Sequence, residues 1–301
     1  MNFDYTEEQT LLDNMVTSFV RDNYDWDTRC NIVKSEEGWK EENWKQFAEL
    51  GLLGVTFDEA YGGLGGKSTD LMIVMEQFGK GLVVEPYLPT VILAGGLISK
   101  LGSEEQKNSI IPEIISGNIR CAFAYAEPQS RFDLNDVKTS AVLNGDDYVL
   151  NGFKSVVFGA GMASHLIISA RTEGEQRSES GITLFIVDTK SEGLTLQNYP
   201  TIDEYRASEV IIENLKVSKD NVLGKVNMAY DAIEEIVDIS TIAACSEAVG
   251  ILQVLKDSTT EYCKNRKQFG QSIAKNQVIQ HRLVDMMIEY EQAKSILYMA
   301  V

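Results

Sequence analysis

The segment Arg266-Lys-Gln-Phe-Gly270 is the part of the sequence best suited to holding a charged ligand. An arginine guanidinium can bind a pyrophosphate through two parallel hydrogen bonds. Gln277 follows eleven residues after Arg266 with an amide that can hydrogen-bond a nucleotide. A second interpretation stays open, because an arginine near the C-terminal end of a helix also interacts favourably with the helix dipole. The spacing therefore indicates either an anion site or a helix-terminal arginine.

Histidine and cysteine chemistry is disfavoured. His165 and His281 have no ligand residue nearby in sequence, so we predict structural histidines, with neither a histidine-based triad nor a metal site. The cysteines show no Cys-x-x-Cys spacing, which is typical of reduced thiols in a cytoplasmic protein. They are Cys30, Cys121, Cys245 and Cys263. We expect Cys121 and Cys245 to be small buried residues.

The glycine-rich segment Tyr61–Gly66 has the composition of a dinucleotide-binding loop but not its context. A Rossmann fingerprint follows a strand and opens a helix within a βαβ unit. The hydrophobic period on both sides of this segment is helical instead. We therefore predict a tight turn between helices.

The chain of 301 residues carries 27 lysines and arginines against 45 aspartates and glutamates, which gives a net charge of −18. An acidic surface repels phosphate backbones, so nucleic-acid binding is disfavoured. Hydrophobic residues make up 44% of the chain, a share typical of globular proteins. No apolar run approaches the roughly 18 residues of a membrane span. The acidic, amphipathic N-terminus is not that of a signal peptide.

The hydrophobic period divides the chain into three domains, 1–119, 120–222 and 223–301. The first and third have the 3.6-residue period of helices. The second contains five or six short, alternating segments rich in valine, isoleucine and phenylalanine, which is typical of antiparallel strands. We predict an α+β fold with a helical N-terminal domain, a middle antiparallel β domain and a C-terminal bundle of long helices.

Local signals place the elements within these domains. Thr6 and Gln9 match a capping box, and Asn144–Asp146 and Asn151-Gly152 are predicted to be tight turns between strands. Helices are predicted over 41–50, 68–80, 86–100, 104–116, 228–264 and 273–301, with a break at 266–270. Because the helical pattern is still running at Val301 and long helices need partners to bury both faces, we expect the C-terminal bundle to be incomplete.

Six strings of residues, taken in order along most of the chain, resemble the acyl-CoA dehydrogenase family of flavoproteins. They are Glu49–Gly54, Glu59–Gly65, Leu101–Lys107, Ala126–Pro128, Leu150–Lys154 and Tyr262–Gly270. The helical, β, helical order of the domains is also that of the family. The branch that the chain most resembles contains pimeloyl-CoA and steroid side-chain dehydrogenases, whose members often pair two unlike subunits.

The resemblance implies FAD-dependent α,β-dehydrogenation of an acyl-CoA thioester of the fatty-acyl or steroid side-chain type, with electron-transfer flavoprotein as the acceptor. The positions that match the family's FAD contacts are Tyr125, Ala126, Phe132, Val157, Phe158, Arg266, Phe269 and Gln277. The positions that match its substrate contacts are Phe132, Asp238 and Thr241. Arg266, Phe269 and Gln277 match a motif that reaches the FAD of a neighbouring subunit. The resemblance therefore also implies a dimer or tetramer of like or unlike subunits.

The sequence departs from the family around the flavin. The usual loop reads Thr/Ser-Glu-Pro-x-Ala-Gly-Ser-Asp, and its two hydroxyl positions are taken here by Ala126 and Phe132. The usual Trp-Ile-Thr is replaced by Val156-Val157-Phe158. Backbone amides remain as donors to the flavin. Arg131 is an addition, for which we expect a surface salt bridge in preference to a phosphate contact.

We identify no catalytic base within the chain. One family position for the base lies on the long helix, where Ser240 stands, followed by Thr241 in place of the usual arginine. A serine hydroxyl is too weakly basic to take an α-proton without an adjacent base. Asp238 and Glu247 are the nearest acidic residues, and for both we favour a solvated helix face or a helix–helix hydrogen bond. The other family position lies beyond Val301, so we expect the chain to be inactive on its own.

Two alternatives stay open. The lost hydroxyls favour a flavin-poor partner subunit of a heteromeric acyl-CoA dehydrogenase, and the missing base permits a related flavin monooxygenase. Flavin absorbance of the purified protein separates a flavoenzyme from an empty-site subunit. Anaerobic bleaching by an acyl-CoA separates a dehydrogenase from a monooxygenase.

Overall fold

The structure is a computed structural model that describes residues 4–301. Contacts within the chain divide these residues into two compact units. The helical unit contains the residues up to Arg29 together with Lys67–Val83 and Thr241–Val301. The sheet unit contains Cys30–Gly66 and Val84–Ser240. Each unit is thus assembled from segments that lie far apart in sequence.

The helices agree with the predicted periodicity. Over the described residues they are α1 (Glu7–Asn23), α2 (Trp26–Lys34), α3 (Glu41–Glu49), α4 (Ser68–Gly81), α5 (Gly95–Leu101), α6 (Glu104–Ile115), α7 (Tyr230–Asn265) and α8 (Gln277–Ala300). The predicted helix over 86–100 is present as π-helical Leu88–Ala94 that continues into α5. Within the part of the chain that is described, no helix is both long and apolar enough to span a bilayer.

The predicted start of α1 is confirmed. The Thr6 side chain accepts from the Gln9 amide at 3.2 Å, and the Gln9 side chain accepts from the Thr6 amide at 3.1 Å. In the helical unit, side chains from α1, α4, α7 and α8 form one apolar cluster. Its buried members are Met72, Ile73, Val249, Tyr290 and Leu297.

The sheet unit is organised by one eight-stranded sheet, counted over the described residues. Its strands are β1 (Cys121–Ala124), β2 (Ser140–Asn144), β3 (Asp147–Phe158), β4 (His165–Arg171), β5 (Ile182–Asp188), β6 (Leu194–Pro200), β7 (Arg206–Ser218) and β8 (Val222–Leu223). They are ordered β6-β7-β3-β2-β4-β5-β8, with β1 paired to β4. The core is the face buried along β3, β4, β5 and β7, where Leu150, Ile168, Phe185 and Val210 are fully buried.

The predicted middle β domain is confirmed, and two details of its sheet differ from the expectation of five or six antiparallel strands: the sheet is mixed, and it has eight strands over the described residues. β1 and β2 both pair with β4 in parallel, because neither is joined to β4 by a hairpin, and local turn signals do not report such long-range pairing. In addition, β1 has four residues and β8 has two. Segments of that length are too short to show an alternating pattern.

One of the two predicted strand turns is confirmed. Asn144 pairs with Asp147 across a two-residue turn, in which Gly145 has a φ of +66°. Asn151-Gly152 lies inside β3 instead, where the register with β7 shifts. Gly152 is needed there because a Cβ would lie 2.4 Å from the Thr139 hydroxyl. Glycine in a strand interior marks such bulges and close approaches as well as turns.

Candidate active site

The loop that follows β1 carries three of the predicted cofactor residues, Tyr125, Ala126 and Phe132. Tyr125 stacks on Phe123 of β1 with ring centroids 4.9 Å apart. The Ala126 carbonyl accepts a hydrogen bond from the Ser155 amide of β3 at 2.9 Å. The structure therefore brings the start of the loop against the C-terminal half of β3, where Val157 and Phe158 lie.

Glu127 anchors this loop through a fully buried carboxylate. Oε1 accepts from the Lys154 ammonium at 2.7 Å and from the Thr139 amide at 3.0 Å. Oε2 accepts from the Lys138 amide and from the Gln129 side chain, both at 2.8 Å. Four donors on one carboxylate tie the loop to the start of β2 and to β3.

The Lys154 ammonium is shared between three acceptors. Besides Glu127 it donates to the Ser169 hydroxyl at 3.0 Å and to the Tyr125 carbonyl at 3.3 Å. Its side chain is fully buried, and desolvation lowers its pKa to about 8, although the charge of Glu127 opposes that shift. Burial raises the pKa of the Glu127 carboxyl, but the charge of Lys154 and the hydrogen bonds from neighbouring donors offset this, so the pKa lies below its usual value.

The second half of the loop forms a turn with two free amides. The Asp133 amide donates to the Ser130 carbonyl at 2.8 Å, and Arg131 has a φ of +49°. Arg131 stands where the family's usual pattern has glycine, and it keeps the left-handed conformation that glycine adopts at low cost. Within the described chain, the amides of Arg131 and Phe132 donate to no acceptor. Consecutive free amides beside a left-handed residue form a concavity that suits an anion or a carbonyl oxygen.

Arg131 does not form the surface salt bridge that we predicted. Its side chain is exposed, and among residues 4–301 its guanidinium has no acidic partner. Phe132 is 96% exposed.

The end of β3 presents apolar side chains next to the loop. Val156 has a φ of +52° and lies at a bulge, where the pairing with β7 shifts between Lys154 and Val157. Val156 and Phe158 are 44% and 40% exposed, whereas Val157 is buried in the sheet core. A contact between Val157 and a bound ligand would therefore be made by its backbone.

These features fit the flavin of FAD. Val156 and Phe158 offer apolar surface to a flat ring, and the amides of Arg131 and Phe132 are unpaired donors for its polar edge or for a phosphate. Ala126 and Phe132 supply no hydroxyl, so only backbone amides remain as donors at these two positions. Sequence reasoning missed the Glu127–Lys154 ion pair. The available signal was a glutamate in the loop just after an apolar strand and a lysine within another strand.

The helical unit carries Arg266, Phe269 and Gln277 on one exposed segment. α7 ends at Asn265, and the predicted break is confirmed as a short hairpin that pairs Lys267-Gln268 with Gln271-Ser272. Phe269 and Gly270 form its turn with φ values of +52° and +81°, the pattern of a type I′ turn. Phe269 is completely exposed. A bulky aromatic in a left-handed conformation is a strained arrangement.

The candidate base positions lie along α7. Ser240 is half-buried, and its hydroxyl donates to the Val237 carbonyl of the same helix at 2.8 Å. Asp238 and Thr241 are exposed, and Glu247 is half-buried. The Ser240 hydroxyl is thus hydrogen-bonded to the backbone of its own helix.

The remaining predictions concern metals and thiols. Among the described residues, no group of three or more histidine, cysteine or acidic side chains could hold a metal ion. All four cysteines are free. Cys121 is buried as predicted, but Cys245 is exposed, because it lies on the outward face of α7. His165 begins β4, and His281 lies in α8.

Comparison with known proteins agrees with this arrangement. The chain matches the acyl-CoA dehydrogenase N-terminal domain over residues 6–118, the middle domain over 122–215 and the C-terminal domain over 230–301. It is 32% identical to the probable acyl-CoA dehydrogenase YngJ of Bacillus subtilis (strain 168), over 100% of the chain and 80% of that protein. It is 31% identical to the caffeyl-CoA reductase-Etf complex subunit CarC of Acetobacterium woodii, over 98% of the chain and 79% of that protein.

A solved structure shows the same fold. Butyryl-CoA dehydrogenase from Megasphaera elsdenii matches with a TM-score of 0.90 and 26% identity, over 99% of this chain and 79% of that one. Helical and β segments in this order define a flavoprotein of the dehydrogenase class. The chain belongs to the acyl-CoA dehydrogenase family, whose members are oxidoreductases that act on CH–CH groups. Its placement in the pimeloyl-CoA and steroid side-chain branch stays a prediction.

Proposed function

We propose that the protein takes part in FAD-dependent α,β-dehydrogenation of an acyl-CoA thioester. The observation that carries this proposal is the anchored loop over 125–133, with its two free amides beside the exposed apolar end of β3. The family membership and the likeness to butyryl-CoA dehydrogenase support it. FAD would supply the hydride acceptor, which no amino-acid side chain can provide.

The residues of the sheet unit would bind and orient the cofactor. Val156 and Phe158 would pack against the flavin ring and exclude water from it. The amides of Arg131 and Phe132 would donate to the cofactor or to a phosphate of the thioester. Because these donors belong to the backbone, they are fixed before the ligand arrives, and little reorganisation is needed on binding.

The helical unit would contact the cofactor of a neighbouring subunit. Arg266 is exposed and has no acidic partner in the described part of the chain, so its guanidinium is free to bind a pyrophosphate. Phe269 and Gln277 lie on the same exposed segment. This arrangement supports an oligomer, with subunits that are either identical or unlike.

Removal of the α-proton requires a base within hydrogen-bond reach of that carbon. Ser240 does not qualify, because a serine hydroxyl is too weakly basic without an adjacent base to activate it, and this hydroxyl donates its hydrogen bond to the Val237 carbonyl. Asp238 and Glu247 are the carboxylates to test first on α7. The name of the relative CarC, a subunit of a caffeyl-CoA reductase-Etf complex, supports electron-transfer flavoprotein as the redox partner.

A second function is favoured by a specific observation. Ala126 and Phe132 remove both side-chain donors of the usual flavin loop, which supports a partner subunit that binds little flavin and completes a heteromeric dehydrogenase. This function is structural, because such a subunit would do no chemistry by itself.

The test starts from the purified protein, together with its partner subunit where one copurifies. Its absorbance spectrum and the flavin released on denaturation are measured first, followed by anaerobic bleaching with butyryl-CoA, longer acyl-CoA thioesters and a steroid side-chain thioester. Bleaching with transfer of electrons to electron-transfer flavoprotein supports the dehydrogenase. A protein without flavin that restores activity to a second subunit supports the alternative. Flavin that is bleached by none of the thioesters but reacts with oxygen would contradict both.

A further inference from the structure

A buried ion pair joins the two segments that form the candidate site of the sheet unit, the loop over 125–133 and β3. Glu127 follows Ala126 in the loop, and Lys154 precedes Ser155 in β3. The Ser155 amide donates to the Ala126 carbonyl at 2.9 Å, so the ion pair and this hydrogen bond join the same two segments. Side-chain exposure is 2% for Glu127 and 0% for Lys154.

On the loop side, Glu127 determines the shape of the turn that holds the free amides. Its backbone amide donates to the Ser130 hydroxyl at 3.0 Å. Its carbonyl accepts from the Ser130 amide at 3.0 Å and from the Ser130 hydroxyl at 2.9 Å. Arg131, with its left-handed conformation, follows directly. A displacement of Glu127 would therefore move the free amides of Arg131 and Phe132.

On the strand side, Lys154 is the last residue in register before the bulge. It pairs with Val210 of β7, and the next pair is Val157 with Ser208. Val156, with its positive φ, lies within the bulge. The Lys154 ammonium thus fixes the strand at the point where it bends to expose Val156.

Stability alone is a weak explanation for this ion pair. Desolvation of two charges is costly, and replacement of a buried ion pair by apolar residues of similar volume is often neutral or stabilising. The lowered pKa of Lys154 reflects that cost. A buried pair that has every lone pair occupied does, however, specify one geometry for the segments that it joins.

We propose that Glu127 and Lys154 are positioning residues, which hold the loop over 125–133 and the bulge at Val156 in the one mutual arrangement that can receive the cofactor. This inference rests on the proposed flavin function. A positioning role makes a prediction that a purely structural role does not. Removal of both charges together should restore the stability that removal of one charge costs, but it should not restore the geometry of the loop.

The experiment compares Glu127→Gln, Lys154→Met and the double variant with the wild type. A matched control removes another buried polar pair of the sheet unit, Asn43 and Glu85, whose side chains are bonded at 3.0 Å, in the double variant Asn43→Leu/Glu85→Gln. Three quantities are measured on each protein. They are the thermal midpoint, the hydrogen exchange of the peptide that covers 125–133 in cofactor-free protein, and the dissociation constant of FAD by titration.

We expect Lys154→Met to lower the thermal midpoint, because it leaves a buried carboxylate without its counter-charge. The double variant should recover most of that loss. Its loop amides should nevertheless exchange about tenfold faster than in the wild type, and FAD should bind about tenfold more weakly, as for the loss of a charged hydrogen bond. The control should show neither change in the loop.

The inference would be overturned if the loop amides of the double variant exchanged at the wild-type rate. It would also be overturned if exchange in the loop rose equally in the control variant. If the single variants do not fold, the double variant alone decides. Absence of FAD binding in the wild type would contradict the proposed function instead, and hydrogen exchange of cofactor-free protein would still test the positioning role.

Discussion

Gly79 of α4 and Gly250 of α7 occupy reciprocal positions in one helix contact of the helical unit. A Cβ on Gly79 would lie 2.0 Å from the Glu247 carbonyl oxygen, and a Cβ on Gly250 would lie 2.0 Å from the Glu76 carbonyl oxygen. The backbone of each helix therefore packs directly against the glycine of the other helix. The same two helices contribute Met72 and Val249 to the buried cluster of the helical unit.

Replacement of Gly250 by alanine is expected to destabilise the protein. In an isolated helix the substitution would gain about 1 kcal/mol from helix propensity, but here the new methyl group collides with backbone that cannot rotate away. We expect a net loss of about 2 kcal/mol in the free energy of unfolding, as for overpacked cores. Urea unfolding measures it. Ser258→Ala, at an exposed position on the same helix, is the control and should change stability by less than about 0.5 kcal/mol.

Arg266→Ala should weaken retention of FAD in an oligomer that binds it. The backbone of Arg266 keeps its hydrogen bonds to Tyr262 and Ile273 after the substitution, so the hairpin should remain in place. The wild-type contact is between charges, and its contribution should decrease as salt is raised. The measurement is flavin content after gel filtration at low and high salt. Lys267→Ala, at the next residue of the same exposed segment, should retain flavin, and equal losses in both variants would argue against a specific role for Arg266.

Ser240→Ala should leave the rate of flavin reduction within about twofold of the wild type. The hydroxyl donates to the helix backbone, and such a bond contributes about 1 kcal/mol or less to stability and nothing to proton abstraction. Asp238→Asn and Glu247→Gln are measured alongside in the same stopped-flow assay. A loss of about a hundredfold or more in one of them would identify the base, whereas a loss of that size in Ser240→Ala would show that position 240 takes part in the chemistry.

Most of the helices could be read from the sequence because their apolar residues recur with a helical period and, at Thr6, a capping signal is local; α2 (Trp26–Lys34) was not predicted. The Asn144–Asp147 hairpin was equally local. The parallel pairing of β1 with β4 was not, since no short-range pattern encodes a pairing across the intervening strands. The same limit applies to the site. The family strings located its residues, but the contact between Glu127 and Lys154 spans 27 positions and depends on how the loop packs against β3.

The lowered pKa of Lys154 predicts a dependence of stability on pH. Its ordinary pKa is 10.5, and burial lowers it to about 8 in the folded protein. Between these values the unfolded chain binds the proton more strongly than the folded one, so the contribution of Lys154 to the free energy of unfolding rises with pH. Below about pH 8 the full cost of the buried charge is present. The thermal midpoint of the wild type minus that of the Glu127→Gln/Lys154→Met variant should therefore increase between pH 8 and pH 10. Other titrating groups are common to both proteins and cancel in the difference. A difference that stays constant over this range would show that Lys154 keeps its ordinary pKa in the folded protein.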